Sequence, residues 1–499
     1  MEQTKFTFID LFAGIGGFYQ GLTKNGGECR AYSEINRDAI ETYCLNFSEK
    51  KEHNLGDITK IKKLPKHDLL TAGVPCQSWS IAGKNLGFDD DRGQLWNDTI
   101  YLLKQSQPKA FIFENVKGLV DPRNKEALGY ILKRIRDAGY YADYYVINSY
   151  DYGVAQNRVR IYIIGFKEEK FFQKFQLPKV GDKKIKLADI LGVEIENFKE
   201  NNEVGSSRSM SLSSKNGYND YFLFNDLRNG KTTIHSWDII ETTERQKEIC
   251  YLLLKNRRKS AYGKLDGNPL SLEHFCSLDK TTNKHELDEL VELGIFKKVA
   301  YVYRISSLKN RELSENEHLI LNKSNRGNLV LDELKSDKGL KLSRVSILKT
   351  LESLKEKKIL EVIEFRYEFK NSKISTGLFG VNRIFLPNAD TFPTLVASDT
   401  NDYITLKHIT PTCEKSYRER FLQEVYRSNN YRKITKEEAC LIQGFPKEFK
   451  LPTSRSRWMK LIGNSVSVPV IEVLCRAILE TGVFESEGIK ENYCEKRSA

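Results

Sequence analysis

Three short stretches of this chain carry side chains that could do chemistry together. In GVPCQSWS, residues 73–80, Cys76 sits between a proline and a glutamine at the end of an apolar run. A lone cysteine is most often a small buried hydrophobe, and it acts as a nucleophile only where its surroundings favour the thiolate. In AFIFENV, residues 110–116, Glu114 and Asn115 end a second apolar run. In QNRVR, Arg158 and Arg160 stand two residues apart, so on a strand they face the same side. A sulfur nucleophile opposite a carboxyl, with guanidiniums nearby, suits attack on a ring that must be protonated or hydrogen-bonded as the bond forms.

These groups need elements to position them. From residue 5 to about 166 the apolar runs FTFIDLF, CRAYSEI, DLLTAGV and AFIFENV alternate with helix-like stretches such as NRDAIETYCLNF. Runs of this kind predict an α/β fold, a parallel and doubly wound sheet with both faces covered. Ligands of such sheets bind beyond the carboxyl ends of the strands. Each expected strand end here carries chemistry: Asp10 with the turn FAGIGG, then Glu34, Asp57 in GDIT, Cys76 and Glu114. Gly14, Gly16 and Gly17 let a ligand approach the first turn, and Glu34, about 20 residues on, is placed to accept from ribose hydroxyls. The pattern indicates an adenosine-bearing cofactor without choosing between a dinucleotide and another.

The 499 residues allow roughly two to four domains. With 40% hydrophobic and 29% charged residues the chain reads as globular. No apolar run approaches the ~20 residues of a membrane helix and the N-terminus lacks a signal pattern, so a cytoplasmic location is expected. Nine cysteines without a CxxC pair argue for reduced thiols and no structural metal, and a net charge of +12 suits a polyanionic partner. ENNEVGSSRSMSLSSKNGYND reads as exposed loop. Within about 240–370, HELDELVELGIFKKVAYVYRI and SRVSILKTLESLKEKKILEVIEFRYEF each read as an amphipathic helix, a turn and a strand. That order fits a winged helix-turn-helix unit or an ordinary helix-strand subdomain. His235 and Trp237 of TIHSWDII could contact DNA, though local packing is the commoner fate of such a pair. KITKEEACLIQGF reads as a capped helix, and VPVIEVLCRAILETGVF as an apolar helix that returns to the first sheet.

Taken in order, FIDLFAGIGGF, YSEI, GDI, GVPCQSWS, RGQLW, ENV, QNRVR, KITKEEACLIQGFP and LIGNSVSVPV make the chain resemble the DNA (cytosine-5)-methyltransferases, particularly those of bacterial restriction-modification systems. The resemblance covers residues 6 to about 166 and 431 to about 475. It implies a Rossmann-like methyltransferase sheet built from residues 1–170 and 431–499. Between them, residues 171–430 would be a separate mixed α+β target-recognition domain, with the 240–370 insertion open to the winged-helix reading. It implies S-adenosyl-L-methionine as cofactor and methyl transfer to carbon 5 of a cytosine flipped out of double-stranded DNA.

Under that resemblance Cys76 would add to carbon 6, Glu114 would hold the ring nitrogen and exocyclic amine, and Arg160 would contact the base carbonyl or a flanking phosphate, with Arg158 supporting it. Phe12, Ile15 and Gly17 match the first cofactor motif, Glu34 the ribose ligand, and Asp57 and Ile58 the adenine end. Ile35 stands where an aromatic is frequent, and Trp79 where phenylalanine is usual. Gly73, Pro75 and Leu95 would line the pocket, and Asn464, Ser465 and Val466 would close it. Gln77 and Ser80, with the loop 78–93, would fill the gap left by the flipped base, and Thr394 and Leu395 would meet DNA in the recognition domain. A monomer in the bacterial cytoplasm is implied, with a cognate restriction endonuclease acting on the same site without a stable complex. Two other functions stay open: a transfer-RNA cytosine-5 methyltransferase, against which the long insertion argues, and a winged-helix DNA-binding regulator with secondary methylation.

Overall fold

The structure is a computed structural model that describes residues 5–47, 51–75, 91–180, 184–194, 220–306, 312–410 and 412–485. Cys76, Gln77, Trp79 and Ser80 lie outside the described residues, as does all but the last residue of the expected loop ENNEVGSSRSMSLSSKNGYND.

Strands β1 (Phe6–Leu11), β2 (Gly27–Ser33), β3 (Leu69–Gly73), β4 (Ala110–Val116) and β5 (Tyr141–Asn148) belong to one six-stranded sheet, which β7 (Val159–Phe166) completes after the short β6 (Gln156–Asn157). Its order is β2-β1-β3-β4-β7-β5. The first four pair in parallel; β1, β3 and β4 are continuous apolar strands buried on both faces, as in parallel sheets generally, and the edge strand β2 is buried only over its last three residues. Alternation assigns the faces. Phe6 and Phe8 of β1 and Ile112 of β4 pack with helix α1 (Gly17–Thr23) and the returning helix Val468–Glu480. Ile9, Leu11, Phe111 and Phe113 point the other way, to α2 (Asp91–Ser106) and α3 (Lys125–Asp137). Phe111 and Phe113 stack at 4.4 Å, and truncating either to alanine would cost ~3–5 kcal/mol.

The parallel expectation fails at β7, which runs antiparallel to both β4 and β5. The link from β5, residues 149–158, is too short for a crossover helix, which takes about a dozen residues or more, so the chain must return in the opposite direction.

A four-stranded sheet, β15-β13-β8-β9, follows, built from β8 (Tyr221–Phe224), β9 (Thr233–Ile234), β13 (Arg383–Phe385) and β15 (Asp402–Ile404). A three-stranded sheet, β11-β10-β12, is formed by β10 (Phe296–Ile305), β11 (Asn328–Val330) and β12 (Leu360–Phe369). Finally β14 (Phe392–Pro393) pairs in parallel with β6, bringing the chain past the insertion back to QNRVR. His235 and Trp237 are buried and stack on each other at 4.1 Å, so this pair is packing.

Near the C-terminus, Thr435 and Glu438 form a capping box that starts the helix Lys436–Gln443, and Gly444, at φ 89°, ends it. The run Arg455–Glu480 is long and apolar enough to cross a membrane by composition, which the apolar runs of the sequence did not suggest. Of its most apolar window 72% is buried, as two core helices, Arg455–Asn464 and Val468–Glu480, that meet at Ser465–Ser467.

Candidate active site

The carboxyl ends of β1 to β4 and the start of β7 open onto one cavity of about 340 Å³, within the ~300–1,000 Å³ typical of small-molecule sites. On the β1–β3 side it is lined by Phe12, Glu34, Ile35, Asp57, Ile58, Gly73 and Pro75; on the β4–β7 side, by Glu114, Val116, Arg158 and Arg160. Leu95 and Asn464 belong to the wall as well. The topology therefore brings together the cofactor-type and ring-holding groups named from the sequence.

Glu34 is fixed by backbone. Gly14 N–H donates to one carboxylate oxygen at 2.8 Å, and the N–H groups of Ile35 and Asn36 donate to the other at 2.9 and 2.8 Å. Asn54 holds the Glu34 backbone from both sides, donating to its carbonyl and accepting from its N–H. An ionised carboxylate has about four acceptor sites, so hydroxyl donors still find room on Glu34. Asp57 caps the short helix Ile58–Lys60, its Oδ1 accepting from the Thr59 N–H and hydroxyl at 3.0 and 2.8 Å, which draws its pKa down. Gly73 is on the wall with no steric need to be glycine: a Cβ would meet only Phe12 and Phe18 at 3.9 and 4.0 Å. What its missing side chain keeps open is the cavity.

Glu114 sits at the other side, where its neighbour in register is Tyr162 and the next residue along the same face is Arg160. Arg160 Nε lies 3.1 Å from Glu114 Oε1, with both side chains largely buried. Burial pushes the Glu114 carboxyl above its ordinary range, against the pull of the Arg160 and Arg158 guanidiniums. Such a carboxyl takes up a proton more readily than one in water, and can donate it to a ring nitrogen. Asn115 braces the spot, donating to the Val74 carbonyl at 3.1 Å.

Arg158 does something else. Its guanidinium is buried and donates to three carbonyls, of Leu395 at 3.1 Å, Gly463 at 3.2 Å and Ser465 at 2.7 Å. Gln156, also fully buried, donates to Ile442 O and Gln443 Oε1 and accepts from Leu395 N–H. Gln443 in turn donates to Ser465 O at 2.7 Å. This network joins QNRVR, the segment after the insertion, and the C-terminal return. Leu395 is buried within it, and the Thr394 hydroxyl donates to the Asn157 carbonyl at 2.6 Å.

Ile15, Gly17, Ser465 and Val466 stand behind the wall. Ile15 is a core side chain, and a Cβ on Gly17 would come within 2.6 Å of Val466 Cγ2 and 2.8 Å of Ser465 Oγ. Gly17 is thus the glycine that lets the C-terminal return close on the first turn. Residues that sequence pattern alone did not single out are Gln156, Gln443 and Asn54, together with Asn36 and Lys460, which line the cavity. A polar residue inside an otherwise apolar stretch, as Gln443 in ACLIQGF, was the one signal present.

A family model of C-5 cytosine-specific DNA methylases matches residues 6–480. The chain is 40% identical over 498 residues to the Type II methyltransferase M.HgiBI of Herpetosiphon aurantiacus, covering 97% of this chain and 99% of that protein. It is 31% identical over 507 residues to M.NlaIV of Neisseria lactamica, covering 96% and 100%. With M.HhaI of Haemophilus parahaemolyticus the match is 40% over 192 residues, 38% of this chain and 58% of that protein. The chain belongs to the C-5 cytosine-specific DNA methylase family, whose reaction is S-adenosylmethionine-dependent methyl transfer to cytosine in double-stranded DNA. The two relatives that it matches along nearly the full length are Type II methyltransferases.

Proposed function

We propose that the strand-end cavity holds S-adenosylmethionine on its β1–β3 side and the extruded cytosine on its β4–β7 side. The observation that carries this is the sharing of one cavity by Glu34 and Asp57 with the Glu114–Arg160 pair. Glu34, preset by three backbone N–H groups, accepts from the ribose hydroxyls; Asp57, Ile58 and Ile35 flank the adenine; Phe12, Gly73, Pro75, Leu95 and Asn464 supply the walls. Ile15, Gly17, Ser465 and Val466 support those walls from behind. Bound there, the cofactor supplies an electrophilic methyl group.

Cys76 follows Pro75 in the chain and adds its thiolate sulfur to cytosine carbon 6. Glu114 protonates or hydrogen-bonds the ring nitrogen, so that the electron pair released by the addition makes carbon 5 nucleophilic. Arg160 holds Glu114 in place and offers its remaining N–H donors to the base carbonyl or a phosphate, while Arg158 locks the segments around it. After carbon 5 has gained the methyl group, the ring nitrogen returns its proton to Glu114, a solvent water takes the proton from carbon 5, and the electron pair of that C–H bond expels the Cys76 thiolate from carbon 6 and restores the aromatic ring. Gln77 and Ser80 close over the gap in the duplex.

Residues 1–170 and 431–499 then form the catalytic part and 171–430 the recognition part, with Thr394 and Leu395 coupling DNA contact to the cleft. The protein acts as a monomer in the bacterial cytoplasm, protecting host DNA from an endonuclease that reads the same site.

The test is transfer of labelled methyl groups to duplex DNA and, separately, to transfer RNA. Duplex DNA is the expected acceptor, and exclusive transfer to RNA would overturn the substrate. Glu114→Gln should lower transfer by ~100- to 10,000-fold with cofactor binding retained. Undiminished transfer in that variant would remove Glu114 from the chemistry.

A further inference from the structure

The inserted region contains one structural unit twice. Helix Lys284–Glu292 passes through Gly294 into β10, and helix Arg344–Glu356 passes through Lys358 into β12. The register that takes Ile295 to Ile359 also takes Leu287 to Leu351, Leu290 to Leu354, Glu292 to Glu356 and Tyr303 to Tyr367. Both turn residues have left-handed backbone, φ 73° at Gly294 and 57° at Lys358. In both, the next isoleucine N–H closes the turn at 3.0 Å, Ile295 on Leu290 O and Ile359 on Leu354 O.

The two copies are related by a local two-fold. Strands β10 and β12 pair antiparallel with Phe296 opposite Phe369 and Ile305 opposite Leu360, a pairing that maps onto itself when the copies are exchanged. Tyr303 pairs with Leu329 of β11, and its counterpart Tyr367 bridges to Leu270. Ser306 N–H donates to Ile359 O and Lys370 N–H to Ile295 O, each at 2.9 Å. The cores are crossed as well: Tyr367 and Phe369 fill the first unit's core, Tyr301 and Tyr303 the second's. Each unit's sheet is completed by the other's strand, as in an isologous dimer.

The symmetry fails at the helices. The first helix starts at the Asn283 cap, and its approach is occupied: Arg245 donates to Asp279 at 2.6 Å, Glu286 at 2.9 Å and Thr281 at 2.9 Å. Residues 276–290 set Lys280 and Lys284 against Asp279, Glu286, Asp288 and Glu289. The second helix starts at the Ser343 cap, a turn earlier, which adds residues 344–347, Arg344 and Val345 among them. The equivalent residues 340–354 carry Lys341, Arg344 and Lys349 against Glu352 alone, and Lys338 stands just before them. One exposed face of this helix presents Arg344, Val345, Leu348 and Lys349, with Val345 63% and Leu348 44% exposed.

We infer that the helix Arg344–Glu356, with the turn before it, is a second DNA-contacting surface outside the base-flipping cleft; this rests on duplex DNA being the substrate. Lys338, Lys341, Arg344 and Lys349 meet phosphates or guanine edges, and the apolar pair between the cations meets thymine methyl groups in the major groove. The first unit's helix has become scaffold, and the duplicated fold provides its partner with a rigid base.

The test uses the full-length enzyme and a duplex containing its methylation site, mapped by bisulfite sequencing. Arg344→Ala/Lys349→Ala is compared with Lys284→Ala/His285→Ala, which alters equivalent or adjacent exposed positions of the first helix. The former should bind duplex DNA roughly tenfold more weakly, and the slope of log affinity against log salt should shrink by about 2, near 0.9 for each phosphate that is no longer neutralised. The latter should bind as the unaltered enzyme does. Unchanged affinity and slope in Arg344→Ala/Lys349→Ala would overturn the inference and leave the face to a protein partner, as would an equal weakening in both variants. Failure of the underlying reading would show separately, as no methyl transfer to DNA by the unaltered enzyme.

Discussion

In the six-stranded sheet the polar groups stand where parallel strands end, so that β1, β2, β3 and β4 deliver a glycine turn, Glu34, Gly73 and Glu114 to one cavity. In the three-stranded sheet of the insertion the strand ends carry Ile305, Leu360 and Phe369, packed into two crossed cores. Parallel strands share a direction, so their carboxyl ends form an edge where a site can assemble. The antiparallel two-fold pair of β10 and β12 has no such edge. Its two helices occupy equivalent places in the pair and differ at their N-terminal ends, where the second starts a turn earlier.

The largest expected effect tests whether the cleft depends on the buried network that joins it to the rest. Arg158→Met removes a guanidinium shared by Leu395, Gly463 and Ser465 and leaves those carbonyls short of donors. A loss of about 3–5 kcal/mol in denaturant unfolding is expected. A loss below ~1 kcal/mol would mean that the segments dock without it. Glu34→Gln probes the preset carboxylate. An amide cannot accept from N–H donors on both of its atoms, so cofactor affinity should fall roughly 10- to 100-fold by calorimetry. Equal affinity would detach Glu34 from the cofactor side.

The smallest effect sharpens the other half of the comparison. If Gly294 and Lys358 are true counterparts, they should answer to substitution with opposite signs. Gly294→Ala should destabilise by ~1–2 kcal/mol and Lys358→Gly should stabilise by up to ~1 kcal/mol in thermal unfolding, because only glycine takes left-handed backbone without penalty. A loss in both would break the equivalence.

Much of the cleft was legible in the sequence because alternating apolar runs dictate a parallel sheet, and the residue at each strand end is then known to share an edge with the others. Glu34, Gly73 and Glu114 meet for that reason, while Asp57 joins them from the cap of the short helix before β3 and Arg160 from the start of the antiparallel β7. Gly17, Ser465 and Val466 were placed on the cofactor, while the structure sets them against one another. Contact between residues so far apart in the chain depends on how the Val468–Glu480 helix docks on α1, which no local pattern encodes. The reversal of β7 was readable only from the length of the 149–158 link. In the insertion, helix, turn and strand were visible twice in HELDELVELGIFKKVAYVYRI and SRVSILKTLESLKEKKILEVIEFRYEF. Their exchange was not, because side-chain alternation says which face is buried and nothing about which strand is the neighbour.

The chemistry assigned to the cleft is tested most directly by trapping. A duplex oligonucleotide carrying 5-fluorocytosine at the target position cannot lose a proton from carbon 5, so the enzyme should remain bonded to it through carbon 6 and migrate as an SDS-resistant species in the presence of cofactor. The unaltered protein should form that species, Glu114→Gln should form it far more slowly, and Cys76→Ser should not form it. Its persistence in Cys76→Ser, or its absence from an unaltered enzyme that still methylates ordinary duplex, would contradict the account.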